Sequence, residues 1–418
     1  MPDDDSSDSS ATKRDGCRRR ALMLDGGAGP CHTLPAFRAT RPEPLAEHSG
    51  TPLVLHGGRH IYESFAVIER VSWRAALGSS QVAGIRWRVR LAPCEAASMI
   101  VRPAEPDDVC GMQQLASRVW PSGWHPGGLG WGLSRKALGD SVVVAVDEGT
   151  SGPIVGFAGH GGDEITHVER DRDDVADALV TWRLAVDSKA SITVWDGADV
   201  LTRAVLRAGL EPVGRQPWSG MLLNLAVVHD DPRRHVDGYA IRPVRAEETA
   251  PRIEVHCAAW KPSSIPYTDG RAVDPEAESS FTSEAYEAVR GAWLYDRSLD
   301  LVAVADDDNS RGFGACCIAW FDRATGVCEI EPLGVVPEHR RRGLAVALCL
   351  EVARLIGERG GTHVYINTQP QAGYVASSSA YFAAGFELVE RATTYAAQGS
   401  HSHRTRGRRT PGRHDGGQ

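Results

Sequence analysis

Val335-Val336-Pro337-Glu338-His339-Arg340-Arg341-Arg342-Gly343-Leu344-Ala345 is the stretch on which the reading of this sequence turns. It follows an apolar run of strand character and opens a long segment of helical periodicity, Leu344 to Ile356. A strand that passes through an Arg/Gly turn into a helix builds a cradle for an anion. The first amides of the helix have no partner within it, and the helix dipole adds partial positive charge there. Gly343 has no Cβ to keep an anion off the backbone. Arg340, Arg341 and Arg342 bring side-chain charge suited to a pyrophosphate.

An Arg-x-x-Gly-x-Ala turn after Val-x-Pro resembles the acetyl-CoA-binding motif of the GNAT (Gcn5-related N-acetyltransferase) superfamily. The context agrees: strand before, helix after, a further strand at 362–367, a second helix, then Ala384-Gly385-Phe386. The resemblance runs from Tyr239 to Ala397. A basic turn capping an ordinary helix would explain the arginines, but not the Tyr381…Gly385-Phe386 pattern downstream. The resemblance implies acetyl-CoA as co-substrate, without a metal. It implies contacts from Leu333, Val335, Val336, Arg340, Arg341, Arg342, Gly343, Leu344 and Ala345.

The same resemblance assigns chemistry. The strand Val327–Val336 should splay from its neighbour and pair with the pantetheine arm, and amides around Leu333 to Val335 should polarise the thioester carbonyl. Strand alternation predicts that Glu329 and Glu331 share a face with Leu333 and Val335. Either acid could take the proton of an ammonium group. Glu329 stands, by its spacing to the turn, where histone-type relatives carry a base; Glu331 lies nearer the thioester and is preferred. The bland alternative is that one of them pairs with an arginine or lies on an exposed face. Tyr381 matches the family tyrosine that protonates the departing thiolate, a role suited to a phenol that stays protonated near pH 7; packing in an apolar helix face is its other reading. The family often has Asn seven residues before that tyrosine, and here the residue is Tyr374, which leaves Asn367 to compensate or not.

Composition sets the bounds. At 418 residues the chain is long enough for two or three domains. A net charge of −8 argues against a general nucleic-acid-binding role. Nine cysteines show neither CxxC nor zinc spacing, so neither a metal site nor a disulfide framework is expected. Cys316-Cys317, in an apolar run, read as small core residues. No stretch has the roughly 18 apolar residues of a membrane span, and Arg18-Arg19-Arg20 precedes too short an apolar run for a secretion signal. The expected location is cytoplasmic, with no membrane partner.

Residues 1–98 open with an Asp/Ser run and continue Arg-, Gly- and Pro-rich. They are expected to be a disordered or poorly structured extension, with true initiation near Met99, or else a small accessory domain; only Ile61–Leu91 is apolar enough for structure. Residues 398–418 are expected to be a disordered tail. Between them lies a repeat. Val101-Arg102-Pro103 matches Ile241-Arg242-Pro243, each before an acidic helix start. Ala208-Gly209-Leu210-Glu211 matches Ala384-Gly385-Phe386-Glu387. The expected fold is therefore α/β: two tandem GNAT folds, 99–228 and 238–397, each a mixed, mostly antiparallel sheet flanked by helices. Strands are expected at 141–146, 154–159, 191–195, 301–305, 314–321, 328–336 and 363–367, with helices at 175–186, 200–208 and 344–359. Aligning Ala178-Leu179 with Ala347-Leu348 sets Asp171, Asp173 and Asp174 opposite Arg340, Arg342 and Gly343. Carboxylates there repel a pyrophosphate but suit a helix N-terminus, so the first copy is expected to be degenerate.

The acceptor should be met by residues 247–300, which hold Trp260, Tyr267 and Trp293 among several acids. Aromatics at helical spacing are also ordinary core. Trp120, Trp124, His125 and Trp131 occupy the equivalent segment of the first copy; they could line a cleft, or the glycines around 127–132 could form a flexible loop. The reading is an N-acetyltransferase acting on a primary amine, a small molecule ahead of a protein, by direct attack in a ternary complex. A non-catalytic acyl-CoA sensor is the rival, a longer acyl donor a third reading, and a homodimer stays open.

Overall fold

The computed structural model describes residues 66–77, 80–91 and 99–397, except 136–137, 139–140, 148–151, 161–164, 228–230, 269, 307–311 and 369–374. The hairpin β1 (Ala66–Leu77) and β2 (Ser80–Leu91) pairs antiparallel from Ala66↔Leu91 to Leu77↔Ser80. It falls within the one apolar stretch of the extension. The rest of residues 1–98 and the 398–418 tail lie outside the described residues.

The first half comprises β3 (Ile100–Pro103), α1 (Asp108–Val119), α2 (Pro126–Leu133), β4 (Val142–Val146), β5 (Ile154–Gly159), β6 (Thr166–Val168), α3 (Asp173–Val186), β7 (Ile192–Trp195), α4 (Asp199–Arg207) and β8 (Glu211–Asn224). The second half runs β9 (Tyr239–Pro243), α5 (Thr249–Ala259), α6 (Ser283–Arg290), β10 (Asp300–Ala305), β11 (Phe313–Asp322), β12 (Val327–Val335), α7 (Leu344–Glu358), β13 (His363–Thr368), α8 (Ala376–Ala384) and β14 (Glu387–Ala396). The two orders are the same, element for element.

Local details repeat as well. Arg102 grips Asp108 through two bonds of 2.6 and 2.8 Å, and Arg242 grips Glu248 through two of 2.7 Å. In each case the carboxylate also accepts the amide three residues before it, at Glu105 and at Arg245. The helices before β8 and β14 both stop at a glycine of positive φ, Gly209 (77°) and Gly385 (99°). Leu210 N–H returns to Val205 O and Phe386 N–H to Tyr381 O, closing the same C-terminal cap.

The sheets do not divide at the sequence boundary. One has four antiparallel strands in the order β3-β4-β5-β6; the other has eight, β7-β14-β8-β13-β12-β11-β10-β9. The long strand β8 runs antiparallel between β13 and β14, and β7 pairs along the outer side of β14. This corrects the expectation of a separate sheet in each half. β8 thus pairs β13 and β14 of the second half, and β14 pairs β7 and β8 of the first, so those edges are covered across the halves.

Packing follows from the patterns. β11 is buried on both faces, as its unbroken apolar run requires. On one face α7 buries Leu344, Leu348, Val352 and Ile356 against Cys317, Ala319, Cys328 and Ile330. On the other, α5 and α6 meet Ile318 and Trp320, together with Trp131 from α2. Cys316 and Cys317 are fully buried core residues, as read from the sequence. Helices α1 and α2 cover one face of the four-stranded sheet and α3 the other.

Candidate active site

The expected turn is present. Val336 N–H bonds Gly314 O, Arg341 adopts φ 64° and Gly343 φ 90°, and α7 begins at Leu344. Arg341, Arg342 and Gly343 are exposed. The nearest heavy atom to a Cβ built on Gly343 is Val236 Cγ2 at 3.9 Å, so backbone conformation rather than crowding demands glycine there. With Gly343 as N-cap, the amides of Leu344, Ala345 and Val346 open the helix without intrahelical acceptors. Arg340 differs from its expected role. Its Nε donates to Val335 O at 3.0 Å, and its other nitrogens bond the carbonyls of Ser264 and Ala259. The guanidinium thus ties the turn to the end of α5. The anion-facing features are the exposed arginines and the backbone.

β12 and β13 run parallel only over Val327↔His363, Cys328↔Val364 and Glu329↔Tyr365. Beyond Glu329 they part, and β13 continues to Thr368 against β8. The rest of β12, through Leu333 to Val335, keeps β11 on one side and faces the splay on the other. Neither Nδ2 nor Oδ1 of Asn367 on β13 has a hydrogen-bond partner among the described residues, although both are buried. Tyr374 lies outside the described residues.

Opposite the splay, β12 carries a bulge. Ala319 pairs with Ile330 and Cys317 with Leu333, so Glu331 and Pro332 together stand opposite Ile318. The bulge resets the alternation. Leu333 and Val335 pack with Cys328 and Ile330 on the α7 face. Gly334, by contrast, faces α5: a Cβ there would lie 2.8 Å from Ala259 Cβ. Glu329 and Glu331 therefore do not share a face with Leu333 and Val335. Pro332 was the signal in the sequence, because a proline inside a strand belongs at an edge or a bulge.

The two acids have different surroundings. Glu329 is 1% exposed. Its Oε2 accepts the N–H of Gly128, on the first turn of α2, and lies 3.3 Å from Nδ1 of His125, the N-cap of that helix. Glu331 is only partly buried. Burial, and then the neighbouring Glu329, push its carboxyl up to about 8, with Arg135 pulling the other way. The indole N–H of Trp320 donates to the Glu331 carbonyl at 2.6 Å. Tyr381 is 8% exposed, on α8, within the core under α7, its ring 6.0 Å from that of Phe386.

The glycine-rich stretch 126–133 is a helix, which corrects the flexible-loop reading. Its glycines mark close approach. A Cβ on Gly127 would sit 2.4 Å from Trp320 Cβ, and one on Gly128 2.9 Å from Glu329 Oε1. Trp120 stacks edge-on with Tyr365 at 4.6 Å and with His125 at 5.1 Å, and Trp131 lies 5.3 Å from Phe281. Ser117 donates to Asp322 at 2.6 Å. In the acceptor segment, Arg252 and Asp300 form a fully buried pair at 2.6 Å, joined by the phenols of Tyr286 and Tyr295. Trp260 is partly buried beside Gly334, Tyr267 lies under Arg271, and Trp293 is 40% exposed.

The corresponding turn of the first half is built from carboxylates. Asp171 has φ 62°, matching Arg341, and Arg172 is the N-cap of α3, matching Gly343. The expected correspondence of Asp171, Asp173 and Asp174 is thus shifted by one or two positions. Arg172 bonds Asp147 and Asp174, while Asp173 holds Arg203 and Arg207. Those two arginines draw the Asp173 carboxyl down to about 2. β6 ends its sheet and β7 belongs to the other, so no splayed parallel pair forms there among the described residues.

Residues 270–376 match the profile of the acetyltransferase (GNAT) family, a stretch that runs from the acceptor segment through β12 and α7 to the start of α8. Residues 270–376 are therefore a GNAT acetyltransferase domain, and this supports an acetyltransferase. Among solved structures, a GCN5-related N-acetyltransferase from Sphaerobacter thermophilus is 20% identical, covering 71% of this chain and 94% of that one, at TM-score 0.40. A tandem GNAT protein from the clavulanic acid biosynthesis pathway is 16% identical, covering 72% and 98%, at TM-score 0.41. A GNAT acetyltransferase from Colwellia psychrerythraea is 14% identical, covering 71% and 99%, at TM-score 0.43. No curated protein matches the sequence. Among the described residues, no group of three His, Cys, Asp or Glu side chains is placed to hold a metal, and no helix is long and apolar enough to cross a membrane.

Proposed function

We propose that this protein transfers acetyl from acetyl-CoA to a primary amine, at one site per chain, in the second half. The observation that carries this reading is the junction of three features on β12. They are the splay from β13, the Arg341–Ala345 turn at its end, and the half-buried Glu331 at its bulge. The fit to coenzyme A is favourable: Gly343 leaves open backbone at a helix N-terminus, and Arg341 and Arg342 are exposed beside it. Leu333, Val335, Val336, Leu344 and Ala345 would supply backbone contacts, with Arg340 holding the turn in place.

Glu331 takes a proton from the acceptor's ammonium group. The free amine nitrogen then attacks the thioester carbonyl carbon, the carbon–sulfur bond breaks as the nitrogen gives its second proton to solvent, and the thiolate takes its proton from the Tyr381 phenol, which recovers it from solvent, as Glu331 returns its own proton there. A base must be ionised to act, and Glu331 ionises near pH 8, so the rate should rise through that range. Glu329 is committed to α2 and is not the base. The first half is read as a second, degenerate copy of the fold, supported by the matching element order and the paired Arg102–Asp108 and Arg242–Glu248 clamps. The carboxylates at its turn argue against coenzyme binding there. A small amine is favoured over a protein, because α2 closes over the acceptor side of β12. The expected location is cytoplasmic.

Calorimetric titration with acetyl-CoA tests the reading. One site per chain, lost in Gly343→Asp, is expected. Two sites would refute the degenerate first half. Binding without turnover of any amine in a broad screen would turn the protein into an acyl-CoA sensor. Glu331→Gln should slow transfer while sparing acetyl-CoA binding.

A further inference from the structure

Two buried polar groups that the fold leaves unmatched lie on one face of the splay, one from each half. His125, at the end of the α1–α2 connection, is fully buried. Gly127 N–H donates to its Nδ1 at 3.1 Å, so the ring proton sits on Nε2. That Nε2 has no hydrogen-bond partner among the described residues. The rings beside it, Trp120 at 5.1 Å and Tyr365 at 6.2 Å, are weak acceptors at best. Asn367 is the next residue on the Tyr365 face of β13, because Val364 and Ile366 pack in the α7 core. Its neighbour on β8 is Gly220, which has no side chain to offer, and on its other side β12 has parted. Both Nδ2 and Oδ1 are buried and unmatched. Buried donors and acceptors left unpaired destabilise a fold, and a leucine of similar size would avoid that cost. The β12–β13 pairs hold one offset from Val327↔His363 to Glu329↔Tyr365, so Glu331 and Asn367 stand across the opening from each other. The coenzyme turn belongs to α7, on the opposite side of the sheet, so this face meets the acceptor.

We propose that His125 and Asn367 form an acceptor subsite, in which the imidazole N–H and the carboxamide hold an uncharged amide or hydroxyl lying within a few bonds of the reacting amine. An amide satisfies all three unmatched atoms: its carbonyl accepts from His125 Nε2 and Asn367 Nδ2, and its N–H donates to Asn367 Oδ1. A hydroxyl can accept and donate in the same way. Trp120 and Tyr365 wall the subsite, and Glu331 faces the amine across it. The acceptor class is thus a short amino amide or amino alcohol rather than a plain alkylamine. This inference rests on the transfer reading and names the substrate class of that same site. It gives the first half a duty in choosing the acceptor that needs no coenzyme of its own, and it gives the Trp120–His125 segment a function.

The test compares glycinamide and ethanolamine with propylamine as acceptors for the full chain. Each amine is its own reference between wild type and variant, so differences in basicity cancel. Asn367→Leu should lower kcat/KM for glycinamide and ethanolamine about tenfold or more, because a site built to bond a polar group loses most when the bond is removed. Propylamine should be unaffected, and so should acetyl-CoA affinity by calorimetry. His125→Asn keeps an N-cap acceptor for Gly127 while withdrawing Nε2, and should discriminate in the same way. If Asn367→Leu does not fold, Asn367→Ala removes the amide without added bulk and decides the matter. An equal loss for all three amines, or weaker acetyl-CoA binding in place of the acceptor effect, would overturn the proposal. Saturation-transfer NMR on the coenzyme A-loaded chain reads amine binding without turnover. If glycinamide binds there, loses its binding in Asn367→Leu and is never acetylated, the subsite stands and the transfer reading fails. Acetylation that ignores both the polar group and Asn367 gives the converse. Neither binding nor acetylation of any of the three overturns both.

Discussion

Gly127→Ala and Gly132→Ala form a matched pair within α2 whose effects should have opposite signs. A Cβ on Gly127 would lie 2.4 Å from Cβ and 2.7 Å from Cγ of Trp320, which is fully buried on β11. Carbon–carbon contacts settle at about 3.5–4.0 Å. The helix would therefore have to back away from the sheet by about 1–1.5 Å, since neither atom is the free end of a flexible side chain. Overpacking of this kind costs about 1–3 kcal/mol. The retreat also weakens the bond from Gly128 to a buried carboxylate, worth about 1.5–3 kcal/mol. Helix propensity returns at most about 1 kcal/mol. At Gly132 nothing lies within 4 Å of the new carbon, so only the propensity gain remains. Thermal unfolding followed by circular dichroism reads both, at about 2–4 °C per kcal/mol. Gly127→Ala should lower the midpoint by several degrees, and Gly132→Ala should raise it slightly. If Gly127→Ala is as stable as Gly132→Ala, α2 does not lie against β11 and β12, and the assignment of Glu329 goes with it.

His167 and His256 are held neutral by burial, their pKa values drawn down to about 4 and about 3. The unfolded chain therefore takes up protons first, so stability is full above about pH 6.5 and falls as pH drops toward 4. For His167 the loss amounts to about 3 kcal/mol at most; urea midpoints between pH 7 and 5 should show it, with a shallower dependence in His167→Gln. Asp300→Asn leaves Arg252 buried without its counter-charge and should cost about 3–5 kcal/mol, measured by denaturant unfolding. Tyr381→Phe should reduce the turnover number and leave acetyl-CoA affinity, measured by calorimetry, nearly unchanged; equal turnover would return Tyr381 to a packing role.

What the sequence made legible was local. The turn that ends at Gly343 and the apolar stripe of α7 are each written in a few adjacent residues, and each is where the pattern put it. The bulge was half legible: Pro332 marks it, but strict alternation through Glu329, Glu331, Leu333 and Val335 hides it. The partnership of Glu329 with Gly128 was not legible, because 201 positions separate them and a carboxylate in a strand does not name its donor. Nor was the exchange of β8. Its apolar pattern requires partners on both edges without saying which, and the partners are strands of the other half.

The interleaving of β8 between β13 and β14 bears on how the chain is made. As it leaves the ribosome, the first half can complete its four-stranded sheet, but β7 and β8 must wait. Their neighbours are synthesised only after α7, and β14 comes last of all. At about 5–20 residues per second, a nascent chain carries those open edges for on the order of ten seconds or more. Unpaired strands of that length are templates for the wrong partner, including a neighbouring copy on the same message. The step that joins the two halves is therefore also the one most exposed to misassembly, and low expression temperature or chaperone supply should govern the yield of native protein.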